Sequence, residues 1–244
     1  MDVHNKIVIV TGASSGIGLA TARLLTERGA KASLVSRSKE KLEELSKELP
    51  DSYAIPADLT RVSDIRRMVA QTKNHFGRID ILINSAGQGY DALIEKTDID
   101  TFRHIFDLDL VGPLIAMQEV IPIMRNQGAG VIINVSSATA LMYLPKMGAY
   151  SSLKRALVVI SLTAREELSK DNIIVSVVYP YITLTDFEKN TIKDSVDEKE
   201  EQKDDIPFPP DTAEYVAQKI VEGIESQEAE IFVHDWMRQR AKKT

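Results

Sequence analysis

Tyr150 and Lys154 stand four residues apart in a stretch whose apolar periodicity predicts a helix over about 148–169. Side chains at this spacing share one helical face, so a phenol and an ammonium would be neighbours. A free phenol has a pKa near ~10 and is a weak base at neutral pH, but a nearby positive charge favours the phenolate. The pair is a candidate for general acid–base catalysis, although this spacing also arises by chance and needs supporting residues.

Further polar groups follow two predicted strands. Asn134-Val135-Ser136-Ser137 ends a β-branched run thirteen residues before Tyr150, and Asn84-Ser85-Ala86-Gly87 ends an earlier run. Ligands of open parallel sheets bind outside the carboxyl ends of the strands. We therefore expect Ser137 and the Asn84 motif to lie at the same sheet edge as Tyr150 and Lys154.

A glycine-rich turn connects the first predicted strand to the first predicted helix: Thr11-Gly12-Ala13-Ser14-Ser15-Gly16-Ile17-Gly18. Gly12 allows a tight turn, Gly16 lets the backbone approach a diphosphate, and Gly18 lets the helix pack close to the strand. The free N–H groups at the start of the helix would bind the diphosphate. An ordinary βα turn is the alternative, but the position after the first strand favours dinucleotide binding. The predicted cofactor contacts are Gly12, Ser14, Ser15, Gly16, Ile17, Gly18, Asn84, Ala86, Gly87, Tyr150 and Lys154.

The residues after the second predicted strand, Ser36-Arg37-Ser38, indicate which dinucleotide binds. An acidic residue here would bind the adenosine ribose and repel a 2′-phosphate, whereas a guanidinium and two hydroxyls suit a phosphate. NADP(H) is therefore favoured, and NAD(H) remains an alternative because Arg37 could equally be a solvated loop residue. Asp58, after the third predicted strand, is a candidate acceptor for the adenine amino group, or else caps the backbone near Thr60.

The elements that must position these residues alternate along the chain. Seven short apolar runs, β-branched and nearly continuous, predict strands covered on both faces: 7–10, 32–35, 53–55, 79–83, 131–135, 173–178 and 231–233. Helical patterns lie between them, over 17–28, 39–48, 61–76, 99–125, 148–169 and 212–226. This alternation predicts an α/β fold: a single doubly wound, Rossmann-type domain over 1–244, with a seven-stranded, mainly parallel sheet and helices on both faces.

Composition argues against several classes of protein. The 244 residues are 43% hydrophobic and 27% charged, without a run of 18 apolar residues, so we expect neither a disordered chain nor a membrane protein. A formal net charge of −6 argues against nucleic-acid binding. The absence of cysteine and of a secretory-type N-terminal segment leads us to expect a cytoplasmic protein. The four histidines are scattered, and no metal site is predicted.

These ordered motifs resemble the short-chain dehydrogenase/reductase family over nearly the whole chain. The resemblance rests on residues 11–18, Asp58-Leu59, Asn84-Ser85-Ala86-Gly87, Ser137 with Tyr150 and Lys154, and Pro180 followed by Thr185. It implies reversible hydride transfer between a nicotinamide and a carbonyl or alcohol carbon. Ser137 would polarise the carbonyl oxygen, Tyr150 would exchange its proton, and Lys154 would hold the nicotinamide ribose and lower the pKa of the phenol. Further cofactor contacts would come from Leu59, Pro180, Ile182 and Thr185, and the helices around 99–125 and 148–169 would assemble homodimers or homotetramers.

Two positions depart from the family pattern. Asp109, in Asp109-Leu110-Val111-Gly112, stands where the family usually has asparagine, and we count it among the catalytic residues. An ionised carboxylate accepts hydrogen bonds but cannot donate them, and it would compete for the charge of Lys154. Tyr181 replaces the glycine that usually follows Pro180, so its ring could reshape the nicotinamide wall or cover the nicotinamide ring. These departures leave an alternative function open, a catalytically weakened NADP(H)-sensing or regulatory protein.

The substrate side is predicted from Gln88-Gly89-Tyr90, residues 139–147 and the chain after Thr185. Its apolar side chains favour a small, neutral, fairly apolar carbonyl or alcohol, unless they pack against a lid or a partner subunit: Leu141, Met142, Tyr143, Leu144 and Met147. The acidic stretch that follows disfavours anionic substrates. We expect residues from about 186 to 210 to form a mobile charged loop, with Phe187, Ile192 and Phe208 as its anchors.

Overall fold

A sheet of seven parallel strands forms the centre of the computed structural model, which describes residues 1–194 and 209–243. The strands are β1 (Ile7–Thr11), β2 (Lys31–Ser36), β3 (Ser52–Pro56), β4 (Ile81–Asn84), β5 (Gly130–Val135), β6 (Ile173–Tyr179) and β7 (Glu230–Phe232). Their order across the sheet is β3-β2-β1-β4-β5-β6-β7, and every neighbouring pair is parallel. The seven predicted strands are confirmed, and the sheet predicted as mainly parallel is parallel throughout.

The direction in which the sheet grows reverses at β1. This strand pairs with β2 on one side and with β4 on the other. The chain first builds outward from β1 to β3 and then crosses back to β4 to build the second half, which is the doubly wound arrangement. The fold class is therefore confirmed. The carboxyl ends of β1 and β4 flank the point where such sheets bind their ligands, and the glycine turn follows β1 there.

Two layers of helices cover the sheet, because its strands present alternate residues to opposite faces. The helices are α1 (Gly16–Glu27), α2 (Lys39–Glu48), α3 (Val62–Phe76), α4 (Ile99–Phe106), α5 (Gly112–Gln127), α6 (Gly148–Glu167), α7 (Ala213–Ser226) and α8 (Asp235–Ala241). Val8 and Val10 of β1 share one core with α1, α2 and α7. Ile9 faces the opposite core, which α3, α5 and α6 complete.

The helix predicted over 99–125 is interrupted in the structure. α4 ends at Phe106 and α5 begins at Gly112, and Asp107–Val111 between them forms a π-helical turn. A π turn widens the helix locally and is frequent at functional sites. Because apolar residues continue across the turn, periodicity alone predicts one helix. The C-terminal α8 was not predicted, since its seven residues are too few for a clear periodic pattern.

Two short strand pairs extend the carboxyl edge of the sheet. Tyr90–Asp91 pairs with Ile192–Lys193, and Thr183–Leu184 pairs with Asp211–Thr212. They join the chain after β6 to the chain after β4 and to the start of α7. The loop predicted over about 186–210 is described up to residue 194 and from residue 209; its remaining part, with Phe208, lies outside the described residues. In the described ranges, no helix is both long enough and apolar enough to span a membrane.

Candidate active site

The turn after β1 has a backbone that requires glycine. Gly12 and Gly16 have φ angles of +70° and +54°, in the left-handed region that other residues disfavour. A Cβ atom on Gly18 would lie 2.4 Å from the Gly12 carbonyl oxygen, so no larger residue permits this packing of α1 against the turn. Ser15, the N-cap of α1, makes no side-chain capping bond to any described residue. The first N–H groups of α1 are therefore available to a diphosphate, and the turn fits a dinucleotide.

Thr11 fixes this turn to the end of the neighbouring strand. Its Oγ1 accepts hydrogen bonds from the N–H groups of Ser85 at 3.0 Å and Ala86 at 3.1 Å, and it donates to the Ile83 carbonyl at 3.3 Å. A Cβ on Gly12 would lie 3.0 Å from the Ala86 Cα, so the two strand ends meet closely. Thr11 was not among the predicted site residues, although a hydroxyl in the last position of an apolar strand is a recognisable signal.

The adenosine end of the predicted site lies beyond β2. Arg37 is exposed, and the Ser38 N–H donates to Ser36 Oγ at 3.2 Å. Partial burial raises the pKa of Asp58, but hydrogen bonds from Thr60 and the charge of Arg37 bring it below its usual value. Asp58 Oδ1 accepts from Thr60 N at 3.0 Å and from Thr60 Oγ1 at 2.8 Å, which is the capping role given as its alternative. Arg37 and Asp58 thus lie close together at this end, and Asp58 also stabilises its own turn.

The structure brings Ser137, Tyr150 and Lys154 together at the carboxyl end of β5. Ser137 directly follows this strand, while Tyr150 and Lys154 lie in the first turns of α6 and are 5% and 4% exposed. The Ser137 side chain lies close enough to the Tyr150 phenol to lower its pKa. Lys154 Nζ lies 5.7 Å from the centroid of the Tyr150 ring and donates to the Val135 carbonyl at 3.3 Å. A hydroxyl, a phenol and an ammonium therefore meet at one point.

Asp109 adds a fourth member to this buried cluster. It lies on the π turn, and its side chain is fully buried. Oδ1 accepts from the Gln88 N–H at 3.0 Å, and Oδ2 lies 3.2 Å from Lys154 Nζ. A Cβ on Gly87 would lie 3.1 Å from Lys154 Nζ and 3.2 Å from Asp109 Oδ2, so the bare backbone of Gly87 packs against both charges. Lys154 thus has a carboxylate partner where the family pattern supplies a neutral amide.

The charges of this cluster act on one another. Burial raises the pKa of the Tyr150 phenol, Lys154 lowers it, Asp109 raises it and Ser137 lowers it, with a net pKa above the usual value. Burial lowers the pKa of Lys154, but Asp109 and Tyr150 raise it above its usual value. Burial also raises the pKa of Asp109, although Lys154 opposes this effect. The phenol is therefore held in its protonated form at neutral pH, and in Asp109 burial opposes the ionised form that Lys154 favours.

Asn84 ends β4, but its side chain points into the protein interior. Its Nδ2 donates to Asn134 Oδ1 at 2.8 Å, and Asn134 Nδ2 donates to Ser161 Oγ at 2.7 Å. All three side chains are buried. They hold β4, β5 and α6 together, so the cofactor contact predicted for Asn84 would have to come from its main chain.

The chain after β6 runs past the glycine turn. The Pro180 carbonyl accepts from the Ala138 N–H at 2.8 Å, and Thr185 lies against Gly16, where a Cβ would be 3.1 Å from Thr185 Cγ2. A pocket of about 560 Å³ lies beside this contact, and Gly16 and Thr185 both line it. Of the other predicted contacts, Leu59 is buried in the core with α3 and α5, whereas Ile182 is 45% exposed.

Tyr181 packs against the C-terminal segment. Its ring meets those of His234 and Trp236 edge to face, with centroids 5.9 Å and 5.7 Å away. His234 in turn pairs with Asp211, with 2.9 Å between Nε2 and Oδ2. Of the two effects expected of Tyr181, a reshaped wall fits this packing better than a cover over the nicotinamide.

Residues 186–194 lie over the catalytic phenol. The rings of Phe187 and Tyr150 are tilted, with centroids 5.9 Å apart. The Ile192 N–H donates to the Gly89 carbonyl at 3.0 Å, and Gln88 Nε2 donates to the Asn190 carbonyl at 2.8 Å. The Tyr90 hydroxyl hydrogen-bonds to Asp194. We call residues 186–194 the cover; it brings Phe187 and Ile192, two of the predicted anchors, against the substrate side.

The predicted apolar lining divides into two groups. Leu141 is 7% exposed and packs mostly in a small core with Tyr179 and Met237. Tyr143 is 85% exposed, and together with Leu141, Trp236 and Arg240 it borders a second pocket of about 520 Å³. Leu141 therefore packs mainly within the chain itself, while the exposed face of Tyr143 remains open to a substrate or a partner.

Comparisons with known proteins agree with this geometry. The family model described as short chain dehydrogenase matches residues 6–196. An uncharacterized oxidoreductase of Staphylococcus saprophyticus is 33% identical over 185 residues, covering 74% of this chain and 79% of the relative. A short chain dehydrogenase from Burkholderia cenocepacia, solved in complex with NADP, has a TM-score of 0.81 and 26% identity over 99% of this chain and 93% of that one. One from Burkholderia phymatum in complex with NAD has a TM-score of 0.89 at 20% identity over the same shares, and shows the likeness of fold. The family model matches most of this chain, and the chain brings Ser137, Tyr150 and Lys154 together. The chain therefore belongs to the short-chain dehydrogenase family of oxidoreductases.

Proposed function

We propose that the protein transfers a hydride between NADP(H) and the carbonyl or alcohol carbon of a small, neutral, fairly apolar substrate. The observation that carries this proposal is the meeting of three groups at one sheet edge. The Ser137 side chain lies close enough to the Tyr150 phenol to lower its pKa, and Lys154 Nζ lies 5.7 Å from the centroid of the Tyr150 ring. The glycine turn opens at the same edge, so a nicotinamide could lie beside these groups.

Each side chain of the cluster has a distinct task in this reaction. The bound nicotinamide supplies the hydride for carbonyl reduction. Ser137 Oγ already accepts from Thr139 N at 3.2 Å and from Thr139 Oγ1 at 3.0 Å, so its own proton remains for the substrate oxygen. Tyr150 gives its proton to that oxygen, which becomes the alcohol hydroxyl. The Lys154 ammonium stabilises the phenolate until the phenol regains a proton from water.

Arg37 supports a preference for NADP(H) over NAD(H). It is exposed and directly follows β2, the position at which an acidic residue would repel a 2′-phosphate. Ser36 and Ser38 flank it with hydroxyl groups. Solved relatives have been captured with either dinucleotide, NADP in the Burkholderia cenocepacia protein and NAD in the Burkholderia phymatum protein. The fold thus accommodates both, and the residues after β2 decide between them.

The cover supports a neutral and apolar substrate. Phe187 presents an aromatic face beside the catalytic phenol, with 5.9 Å between the ring centroids. Asp186 and Glu188 on either side of it are exposed. Of the two, only Asp186 is paired with a described residue, Lys189 at 2.8 Å, so the approach keeps a small negative charge. An anionic substrate would be repelled here, although salt at ~0.15 M screens part of this effect.

We extend the proposal to the assembly of the chain and to its cellular location. Phe106 of α4 and Val159 of α6 are 39% and 60% exposed, which a second copy of the chain would cover in a homodimer or homotetramer. Sedimentation of the purified chain tests this assembly. The cysteine-free composition supports a cytoplasmic location.

A titration followed by a substrate panel tests the proposed function. NADPH and NADH are titrated separately, and a panel of neutral aldehydes and ketones is then added while nucleotide absorbance is followed. We expect NADPH to bind more tightly than NADH and at least one carbonyl to be reduced. Tight binding of NADPH without turnover by any carbonyl, and without NADP⁺ reduction by the corresponding alcohols, would overturn the proposal and support the sensing function.

A further inference from the structure

Behind the catalytic phenol lies a buried charge that hydride transfer does not itself require. We propose that Asp109 is a positioning residue that sets the pH range of catalysis. Its carboxylate holds the Lys154 ammonium and offsets part of the positive charge acting on Tyr150, so that the site works at higher pH than it would with a neutral residue at this position. This inference rests on the proposed function, but its first test does not need turnover.

Lys154 lies between the Asp109 carboxylate and the Tyr150 ring. Its Nζ lies 3.2 Å from Asp109 Oδ2 on one side and 5.7 Å from the Tyr150 ring centroid on the other. The Val135 carbonyl, at 3.3 Å, takes a further hydrogen bond. Asp109 is itself held, because Oδ1 accepts from the Gln88 N–H at 3.0 Å and the π turn places it with no exposed surface. The Asp109 carboxylate is therefore fixed at both oxygens, by the Gln88 N–H and by Lys154.

The groups that face this pair act on it in opposite directions. Burial raises the pKa of Asp109 above its usual value, although Lys154, the Gln88 N–H and His104 lower it. Tyr150 is faced by Lys154, Asp109 and the Ser137 hydroxyl, and its pKa lies above the usual value because burial and Asp109 outweigh Lys154 and Ser137. An asparagine at position 109 could still accept from the Gln88 N–H through Oδ1, but it would bring no charge.

The pH dependence of catalysis follows from the protonation state of the phenol. In reduction, the nicotinamide C4–H bond breaks as hydride adds to the carbonyl carbon, and the Tyr150 O–H bond breaks as its proton passes to the oxygen; the nicotinamide is oxidised and the carbonyl is reduced. In oxidation both transfers reverse, so the phenol must start as phenolate. A carboxylate that raises the pKa of this phenol therefore moves the pH profiles of both directions to higher pH.

Tyrosinate absorbance of the nucleotide-free protein tests this directly. The signal of Tyr150 is obtained by subtracting the titration of Tyr150→Phe from that of wild type, and the same subtraction is made in the Asp109→Asn background. We expect Asp109→Asn to lower the pKa of Tyr150 by about one unit, because only the charge is removed. The matched control is Asp107→Asn, an exposed carboxylate on the same π turn, and it should leave the titration unchanged.

Activity gives a second, independent readout. In Asp109→Asn the pH at which alcohol oxidation reaches half its maximum should fall by the same amount, and the pH above which carbonyl reduction declines should fall with it, because both profiles depend on the pKa of the same phenol. Should Asp109→Asn fold poorly, Asp109→Ala with a thermal melt serves as the second variant. An unshifted phenol titration, or equal loss of both directions with an unchanged pH profile, would overturn the inference and leave Asp109 a structural residue. If no carbonyl is reduced at all, the proposed function fails, and the phenol titration still decides this point.

Discussion

The glycine turn and the cover meet the same sheet edge but are built in different ways. The turn is one continuous segment, residues 11–18, whose shape depends on the positive φ angles of Gly12 and Gly16 and on the lack of a Cβ at Gly18. The cover depends on contacts between segments far apart in the chain, such as Phe187 with Tyr150 and Ile192 with Gly89. The proposed nucleotide site is therefore encoded locally, and the proposed substrate site is encoded by tertiary packing. Substitutions in the two regions should affect different kinetic constants.

The largest effect is expected at the point where the two regions meet. Tyr150→Phe removes the proton donor while keeping the ring, so turnover should fall by about 1,000-fold, within the range of general acid–base catalysis. The Kd for NADPH should change by no more than about twofold, because the phenol contributes little to nucleotide binding. Tyr143→Phe, at a tyrosine that is 85% exposed, is the matched control. Steady-state rates are measured for wild type and both variants. Activity retained by Tyr150→Phe would refute the acid–base role of Tyr150.

Within the turn, Gly18→Ala should damage nucleotide binding most. Its Cβ would lie 2.4 Å from the Gly12 carbonyl, so the backbone of the turn must move. The Kd for NADPH, measured by fluorescence titration, should rise by at least about tenfold because the diphosphate loses aligned N–H donors. Gly77→Ala is the control for stability alone, since Gly77 has a φ of +80° but nothing within 4 Å of the added Cβ. Equal affinity in both variants would contradict the local origin of the site.

Arg37→Asp should reverse the dinucleotide preference. The new carboxylate would accept from the adenosine ribose and repel a 2′-phosphate. The ratio of kcat/KM with NADPH to that with NADH should fall by about 100-fold, the order expected from exchanging an attractive for a repulsive charge. Lys170→Asp, an equal charge change at an exposed position, controls for the overall electrostatic field. An unchanged ratio would remove Arg37 from the cofactor site.

Phe187→Ala tests the cover. Removing the ring beside Tyr150 should raise KM for an apolar carbonyl by roughly tenfold, the order expected from losing one apolar contact in a pocket. The Kd for NADPH should stay the same. Val62→Ala, at a valine of α3 that is 42% exposed, is the control. If nucleotide affinity falls instead of substrate affinity, the division between the two regions is wrong.

The smallest effect on binding is expected at Asn84, whose buried side chain joins the strands beneath both regions. Asn84→Ala leaves the buried amide of Asn134 without one of its partners, and the free energy of unfolding should fall by about 1–3 kcal/mol. Urea unfolding measures this change. The Kd for NADPH should remain near the wild-type value, and a large loss of affinity without a loss of stability would show that the Asn84 side chain faces the nucleotide.

Much of the fold could be predicted from the sequence because the signals are local. Each strand of the sheet is a short β-branched run. The glycines of the turn stand where the backbone needs a positive φ angle or a close approach between neighbouring segments. The alternation of strands and helices then leaves few arrangements of the chain. The same reasoning located Ser137, since a hydroxyl at the end of a parallel strand lies at the ligand edge.

The remaining features depend on contacts that no local pattern shows. The π turn around Asp109 lies within an uninterrupted apolar pattern, so one helix was predicted where the structure has two. The inward-facing side chain of Asn84 depends on Asn134, a residue fifty positions away. Tyr181 packs on the C-terminal segment because α8, too short to be predicted, brings Trp236 to it.

The central proposal is that hydride transfer takes place at the Tyr150 site. The most direct measurement uses NADPH carrying deuterium on the transferred C4 position, with a carbonyl that the panel identifies. We expect one deuterium on the carbinol carbon of the product, seen by mass spectrometry with wild type and reduced to background with Tyr150→Phe. Product without deuterium from either prochiral form of the labelled nucleotide, or equal labelling by Tyr150→Phe, would contradict the account.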